Sequence, residues 1–378
     1  MRIVVAPNAF KGSLDATEVA EALAAPLEGR ADAVLAPMSD GGDGFLAALR
    51  RYRPDVLAVS ARVPDPAGRA ISALWGWHPE DGIAYLESAA AIGIHLVDRG
   101  ARDPLRATSA GLGRLIRTAA GLGPAEIVVG LGGSATVDGG IGMAQELGFR
   151  FEDRAGNPVV RPAEMPGLAR VVPPADPPVA RGIRLLALAD VSSPLHGPDG
   201  AAHAFGPQKG AGPEAVELLA GGLQRMEEAW RADLGAPADL ARRPGAGAAG
   251  GLGAALVAFL GADLASGSEW CGELAGLGPA LRGAGGVVTA EGRFDRGSLR
   301  GKATGHVLAL ARAAGVPAAV VCAVRGPVAD AAGVTVVDAS AIGLDPESRL
   351  TREDLGRMMG IVLARWESDR PPDILASR

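Results

Sequence analysis

Positive charge in this chain is carried almost entirely by arginine. Of 37 basic residues among 378, only Lys11, Lys209 and Lys302 are lysines, and each has a glycine neighbour, in Phe10-Lys11-Gly12, Gln208-Lys209-Gly210 and Gly301-Lys302-Ala303. An ammonium is a compact point charge suited to phosphate, and glycine lets backbone and ligand approach closely. Acids recur in residues 39–44, 130–140, 189–194 and 291–295, each after an apolar run and, in all but 189–194, beside glycines. The carboxyl ends of parallel strands are where α/β proteins bind ligands, and acids there can hold Mg²⁺ or take a hydroxyl proton. Any one Asp-Gly reads as a turn. Four such sites on predicted strand ends point to chemistry.

Gly130-Leu131-Gly132-Gly133-Ser134-Ala135-Thr136 follows the strand-like Val128-Val129 and precedes a predicted helix. Gly132 and Gly133 would turn backbone amides toward an anion, and the Ser134 and Thr136 hydroxyls add donors, so the segment reads as a phosphate loop. Residues 245–250 match the dinucleotide fingerprint in form only. Ala241-Arg242-Arg243-Pro244 precedes them in place of a strand, which leaves phosphate binding or tight helix packing as their use. Residues 296–303 nearly spell a Walker loop, but the first glycine is displaced by one and Ala303 stands where the Mg²⁺-binding hydroxyl belongs. This is not a P-loop enzyme, although Lys302 at a helix start can still reach a phosphate. The five histidines and two cysteines show no metal spacing, and no Ser-His-Asp triad is indicated.

These residues need strands and helices to hold them. Residues 3–6, 34–36, 286–290, 318–323 and 334–337 read as short buried strands. Helices are predicted from a cap at Ser13 or Asp15 to about Leu27, after Gly44 through Arg50, over 303–314 and over 355–366. Together they predict a five-stranded parallel sheet of flavodoxin-like order. Between these two halves lie a hairpin signal (71–77 and 83–87 around His78-Pro79-Glu80-Asp81-Gly82), strands at 126–129 and 185–189, and long helices at 213–234 and 247–264. The fold class is therefore α/β: a flavodoxin-like parallel-sheet domain interrupted by a second α/β domain with a mixed sheet. Domain one takes residues 1–60 and 284–378, and the insert takes 61–283, entered at Pro64, Pro66 and Gly68 and left at Gly283, Gly285 and Gly286.

Composition narrows the classes. Apolar residues make up 48%, enough for real cores, while aromatics at 4% leave those cores to Ala, Val and Leu. A net charge of -6 with interspersed signs offers no basic face for nucleic acid. Two cysteines fit a reducing compartment. The N-terminal apolar run is too short for a secretory signal, and the uncharged Gly/Ala-rich residues 244–262 suit a packed helix better than a membrane span. A cytoplasmic protein is expected.

Eight pieces in order resemble the bacterial glycerate kinase family, the class that makes 2-phosphoglycerate. They are Ala6-Pro7-Asn8-Ala9-Phe10-Lys11-Gly12-Ser13-Leu14, Asp40-Gly41-Gly42-Asp43-Gly44, Asp65-Pro66-Ala67-Gly68-Arg69, residues 132–140, residues 189–197, Phe205-Gly206-Pro207-Gln208-Lys209-Gly210-Ala211, residues 244–253 and Glu291-Gly292-Arg293-Phe294-Asp295. Asn8-Ala9 stands where the family often has Asp-Ser, and Ser193 where it usually has Asn. The resemblance implies an ATP- and Mg²⁺-dependent phosphorylation of D-glycerate in a cleft between two domains. Asp190 would be the base and Lys11 the stabiliser of the transferring phosphoryl group. Asn8, Ser13, Arg69 and Ser193 would hold substrate, with Arg69 on the carboxylate. Gly132, Gly133, Ser134, Thr136, Lys209 and Lys302 would bind phosphates or nucleotide, and Asp43, Glu291 and Asp295 the metal and its waters. The rival reading is an inactive relative that binds a small organic acid or nucleotide. A nicotinamide dehydrogenase is disfavoured by the missing strand before Gly245.

Overall fold

The computed structural model describes residues 1–10, 12–299, 301–327, 334–345 and 348–368. In chain order its strands are β1 (Arg2–Val5), β2 (Asp32–Leu35), β3 (Leu57–Pro64), β4 (Ala70–His78), β5 (Ile83–Glu87), β6 (Glu126–Gly130) and β7 (Arg150–Asp153), followed by β8 (Leu168–Val172), β9 (Arg184–Leu188), β10 (Asp263–Ala265), β11 (Gly286–Phe294), β12 (Ala318–Arg325) and β13 (Thr335–Asp338). The chain divides into two compact units. One comprises Met1–Ser39, Ala47–Tyr52 and Ser268–Arg378, the other Asp40–Leu46 and Arg53–Gly267.

The first unit carries a five-stranded sheet in the order β13-β12-β11-β1-β2, every pair parallel. Numbered within that sheet from the N-terminus, the order is 2-1-3-4-5, the flavodoxin-like arrangement. Ile3 pairs with Gly286, so the two ends of the chain share one sheet across a long intervening segment. A strand buried on both faces reads as a continuous apolar run, which is what Ile3-Val4-Val5 provides. Ile3, Val5, Val288 and Ala290 pack against helices Ala16–Ala24 and Arg352–Ser368, while Val4, Ala6 and Val287 pack on the opposite face against Cys271, Leu277, Ala303 and Val307. Asp15, the second of the two predicted caps, starts helix Ala16–Ala24. Its carboxylate accepts from the Glu18 amide at 2.8 Å while Glu18 returns to the Asp15 amide at 3.0 Å, a capping box.

The second unit is built on a six-stranded sheet ordered β10-β9-β6-β5-β4-β3. From β10 to β5 it is parallel; the hairpin β4–β5 and the partner β3 make the rest antiparallel. β7 and β8 form a small separate antiparallel pair with a register shift at Glu152/Asp153. The observed unit and the expected insert of residues 61–283 differ at both ends, for a packing reason. β3 begins at Leu57, which is opposite Trp77 of β4, and residues 271–281 bury Cys271, Leu277 and Leu281 under the first sheet.

The helix predicted over 247–264 is shorter. It spans Ala248–Leu260 and stops where Gly261 turns left-handed at φ 67°; Leu264, expected in the helix, lies in β10, an edge strand parallel to β9. Its first turn is irregular, with positive φ at Ala249, Gly250 and Gly251. The glycines there are used for close backbone approach. A Cβ on Gly253 would stand 2.0 Å from the Gly245 carbonyl oxygen, and one on Gly250 2.1 Å from that of Thr136. Gly253→Ala should therefore lower the urea midpoint of the second unit by the equivalent of about 1–3 kcal/mol, the usual cost of forcing an atom into a closed core. An unchanged midpoint would show that the contact can relax freely.

Candidate active site

The register of the parallel strands brings four carboxyl ends of the second unit into line. Glu87 pairs with Gly130, Gly130 with Leu188, and Leu188 with Ala265. Just beyond these ends come Ser88, Gly132-Gly133, Asp190 and Ser266. Asp190 is 9% exposed, and the Ser266 hydroxyl donates to its Oδ1 at 2.8 Å. Asp190 thus sits at the end of β9, as its position after an apolar strand predicts.

The loop of residues 40–44 crosses these strand ends at backbone distance. A Cβ on Gly41 (φ 78°) would lie 3.0 Å from the Leu188 carbonyl oxygen, and one on Gly132 2.5 Å from the Gly42 Cα. Asp40 accepts from the Gly42 amide at 3.0 Å, closing the turn. The Gly44 and Leu46 amides donate to the two carboxylate oxygens of Glu87, each at 3.0 Å. Glu87 is buried. Burial pushes its carboxyl above the ordinary range, the two amides pull it back, and the charges of Asp43 and Asp40 push it up again. The sequence reading missed Glu87; its signal was an acid ending the apolar run Ile83-Ala84-Tyr85-Leu86. Asp43 itself is exposed beside Gly133.

The glycine and hydroxyl loop after β6 is held from its buried side. Lys209, 3% exposed, donates from Nζ to the Ser134 hydroxyl at 3.0 Å and to the Thr136 carbonyl at 2.7 Å. Burial draws its ammonium down to about 7, with the charge of Asp138 working the other way. The helix expected directly after Thr136 starts later, at Ile141, and is only six residues long, so Gly132, Gly133, Ser134 and Thr136 do not form a helix N-terminus. The loop is organised by Asp138 instead, whose Oδ2 accepts from the Ser109 amide and hydroxyl at 2.9 and 2.7 Å and whose Oδ1 accepts from the Gly140 amide at 3.0 Å. Asp138 is a second residue the reading of single sites passed over. The Thr136 hydroxyl is buried without a partner.

Arg69 lies in the turn between β3 and β4. It donates from Nε to Asp65 at 2.7 Å and to the Leu96 carbonyl at 3.0 Å, and its side chain is 66% exposed. Ser193 is partly buried, and its carbonyl accepts from the Gly247 amide at 3.0 Å.

In the first unit a separate group gathers at the end of β11. The Asn8 amide donates to the Ala290 carbonyl at 2.8 Å, extending the β1–β11 pairing to the residue before Glu291. Glu291 is 9% exposed, and among the described residues its Oε1 has no hydrogen-bond partner; the hydroxyl of Thr289, two residues earlier on the same face, is also buried and unpartnered among them. Burial pushes the Glu291 carboxyl up to about 7. The hydroxyls of Ser298 and Thr304 and the charge of Lys302 pull it down, and Asp295 pushes it up. Lys302 sits at the N-cap of helix Ala303–Ala313, which has no side-chain cap. The Asp295 carboxylate accepts from the Gly297 amide at 2.8 Å. Ser13 is exposed in the turn before Asp15, its hydroxyl 3.3 Å from the Phe10 carbonyl. Lys11 lies outside the described residues, as does Arg300 of the near-Walker segment. Among the described residues no group of three or more His, Cys, Asp or Glu is placed to hold a metal ion, and no helix is long and apolar enough to cross a membrane.

Residues 3–350 match the sequence pattern of the glycerate kinase family. The glycerate 2-kinase of Escherichia coli K12 is 38% identical over 80% of both chains, and the glycerate kinase of Halalkalibacterium halodurans 37% identical over 83% of both. The crystal structure of a protein assigned as glycerate kinase 2 from Salmonella typhimurium LT2 superposes with a TM-score of 0.73 at 33% identity, covering 97% of this chain and 98% of that one.

The Glu291 carboxyl gives the first unit a pH signature. With its pKa raised from 4.5 to about 7, the folded protein holds a proton that the unfolded chain releases between those values. The stability this contributes is full below about pH 4.5 and is lost as pH rises through 7. Glu291→Gln cannot titrate. In metal-free protein the variant should therefore gain on the wild type between pH 5 and pH 8, by at most about 3 kcal/mol, read as melting temperatures at the two pH values. A constant difference would mean that Glu291 titrates as an ordinary carboxylate.

Proposed function

Since the chain belongs to the glycerate kinase family and is a glycerate kinase, we propose that it transfers the terminal phosphoryl group of ATP to the 2-hydroxyl of D-glycerate, giving 2-phospho-D-glycerate and ADP in the cytoplasm. The observation that carries this reading is Asp190: a nearly buried carboxylate at a parallel strand end, steadied by the Ser266 hydroxyl. In the proposed step the glycerate hydroxyl gives its proton to Asp190, its oxygen forms the new bond to the γ-phosphorus, and the bond to the ADP oxygen breaks. Phosphoryl transfer asks the protein mostly for positioning and charge neutralisation.

The other expected site residues are proposed for the remaining roles. Asn8, Ser13 and Ser193 would orient the substrate, and the exposed guanidinium of Arg69 its carboxylate. Lys11 would neutralise the transferring phosphoryl group, with Lys302 as a second phosphate contact. Gly132, Gly133, Ser134 and Thr136 would line the phosphates, while buried Lys209 fixes that loop from behind. A Mg²⁺ ion keeps several waters and needs only one or two carboxylates beside phosphate oxygens. The orphaned Oε1 of Glu291 fits one such place, and Asp295 and Asp43 would hold bound waters. When bound, the ion supplies charge neutralisation across the β- and γ-phosphates.

Asp190→Asn keeps size and the contact from Ser266 but cannot accept the proton. It should lower kcat by about 10²-fold or more with little change in melting temperature. Loss of stability with turnover preserved would make Asp190 structural. Lys11→Arg keeps the charge in a larger, planar group and should lose much of the activity; near-normal turnover would remove the lysine from the transfer step. Phosphorus NMR of the product made with D-glycerate, ATP and Mg²⁺ decides the hydroxyl: a 3-phosphate signal, or no turnover at all, would overturn the reading.

A further inference from the structure

We infer that the second unit contains a binding site for a small dianion, of the phosphate-monoester or dicarboxylate class, in a cavity rimmed by Arg102, Arg106 and Arg161. The cavity holds about 400 Å³, within the usual size of small-molecule sites. Pro66, Val97 and Ala135 line its buried interior. Three arginines line this one space, and a single acid, Asp103, lines it with them.

The charge pattern carries the inference. Some arginines elsewhere on this chain hold carboxylates, such as Arg114 with Glu146, Arg184 with Glu126 and Arg243 with Asp239. Among the described residues none of the three cavity arginines has such a partner, and Asp103 uses one carboxylate oxygen on the Leu105 amide at 3.0 Å. Arg102 is anchored through Nη1 to the Gln208 carbonyl at 3.1 Å, yet its Nε is buried with no acceptor. A buried guanidinium donor without an acceptor costs free energy, and so do like charges gathered without a counter-ion. Both costs are relieved by one ligand bearing two negative charges and several acceptor oxygens, because guanidinium forks match phosphate and carboxylate geometry. The apolar interior leaves room for a short carbon chain behind the charged head. The inference does not depend on the identity of the proposed phosphoryl acceptor.

Calorimetry on the full chain tests it, with inorganic phosphate and malonate as probes at low and moderate salt. Wild type should bind at least one of them saturably, more weakly as salt rises; the stronger probe tells phosphate from dicarboxylate chemistry. The double variant R106A/R161A should weaken that binding by tenfold or more. Both side chains are exposed, so the fold should survive, and its melting temperature without anion should be unchanged or slightly higher. Should the double variant fail to fold, Arg106→Ala and Arg161→Ala singly should each weaken binding about threefold or more. Arg352→Ala, on the terminal helix of the other unit, should leave it unchanged. Absence of saturable binding by wild type, or equal affinity in the cavity variants, would overturn the assignment.

Discussion

The absence of a β-carbon at a few positions is the constraint on which the second unit depends. Residues 40–44 lie over the ends of β6 and β9 at a separation that side chains would prohibit, with Gly42 against Gly132 and Gly41 against the Leu188 carbonyl. Gly250 does the same to Thr136 from another direction. Left-handed backbone at Gly41 and Gly133 adds a second reason for glycine there. These approaches turn what would be four separate strand ends into one surface, where Glu87, the 132–136 loop, Asp190 and Ser266 are neighbours through register.

Three buried ionisable groups then divide into two kinds of work. Glu87 and Lys209 are spent on structure: each uses its polar atoms on loop groups that would otherwise lack partners. A charged group removed from water is tolerable only with such compensation, and removing one would leave amides or a carbonyl unsatisfied. Glu291 is different, since among the described residues its buried Oε1 has no hydrogen-bond partner. A buried, perturbed carboxyl of this kind is a functional-site candidate, whereas the polar contacts of Lys209 are made to the loop it supports.

The sequence made the parallel sheet legible because its strands are continuous apolar runs, and because the β-α rhythm returns after Gly286. The hairpin of β4 and β5 was legible from its turn. The contribution of β10 was not. Leu264 follows an uncharged glycine- and alanine-rich helix after only three residues, and Gly261 and Asp263 alone mark the break. A three-residue edge strand has too little pattern to announce itself. Glu87 and Asp138 escaped for another reason. Their partners include backbone amides, of Gly44, Leu46, Ser109 and Gly140, and which carboxylate a backbone amide meets is not written in any side-chain pattern. Single-residue chemistry at strand ends was readable; the support for it was not.

That hidden strand bears directly on Asp190. Ser266 reaches Asp190 only because β10 continues the parallel sheet past β9, with Ala265 level with Leu188. If residues 247–264 were helical throughout, nothing would fix Ser266 next to a carboxylate some seventy residues earlier in the chain. A carboxylate proposed as a base needs a defined orientation, and the anchor from Ser266 on Oδ1 restricts the carboxyl rotation that would spoil it. The glycine that ends the preceding helix, left-handed at Gly261, is what lets the chain turn into this strand.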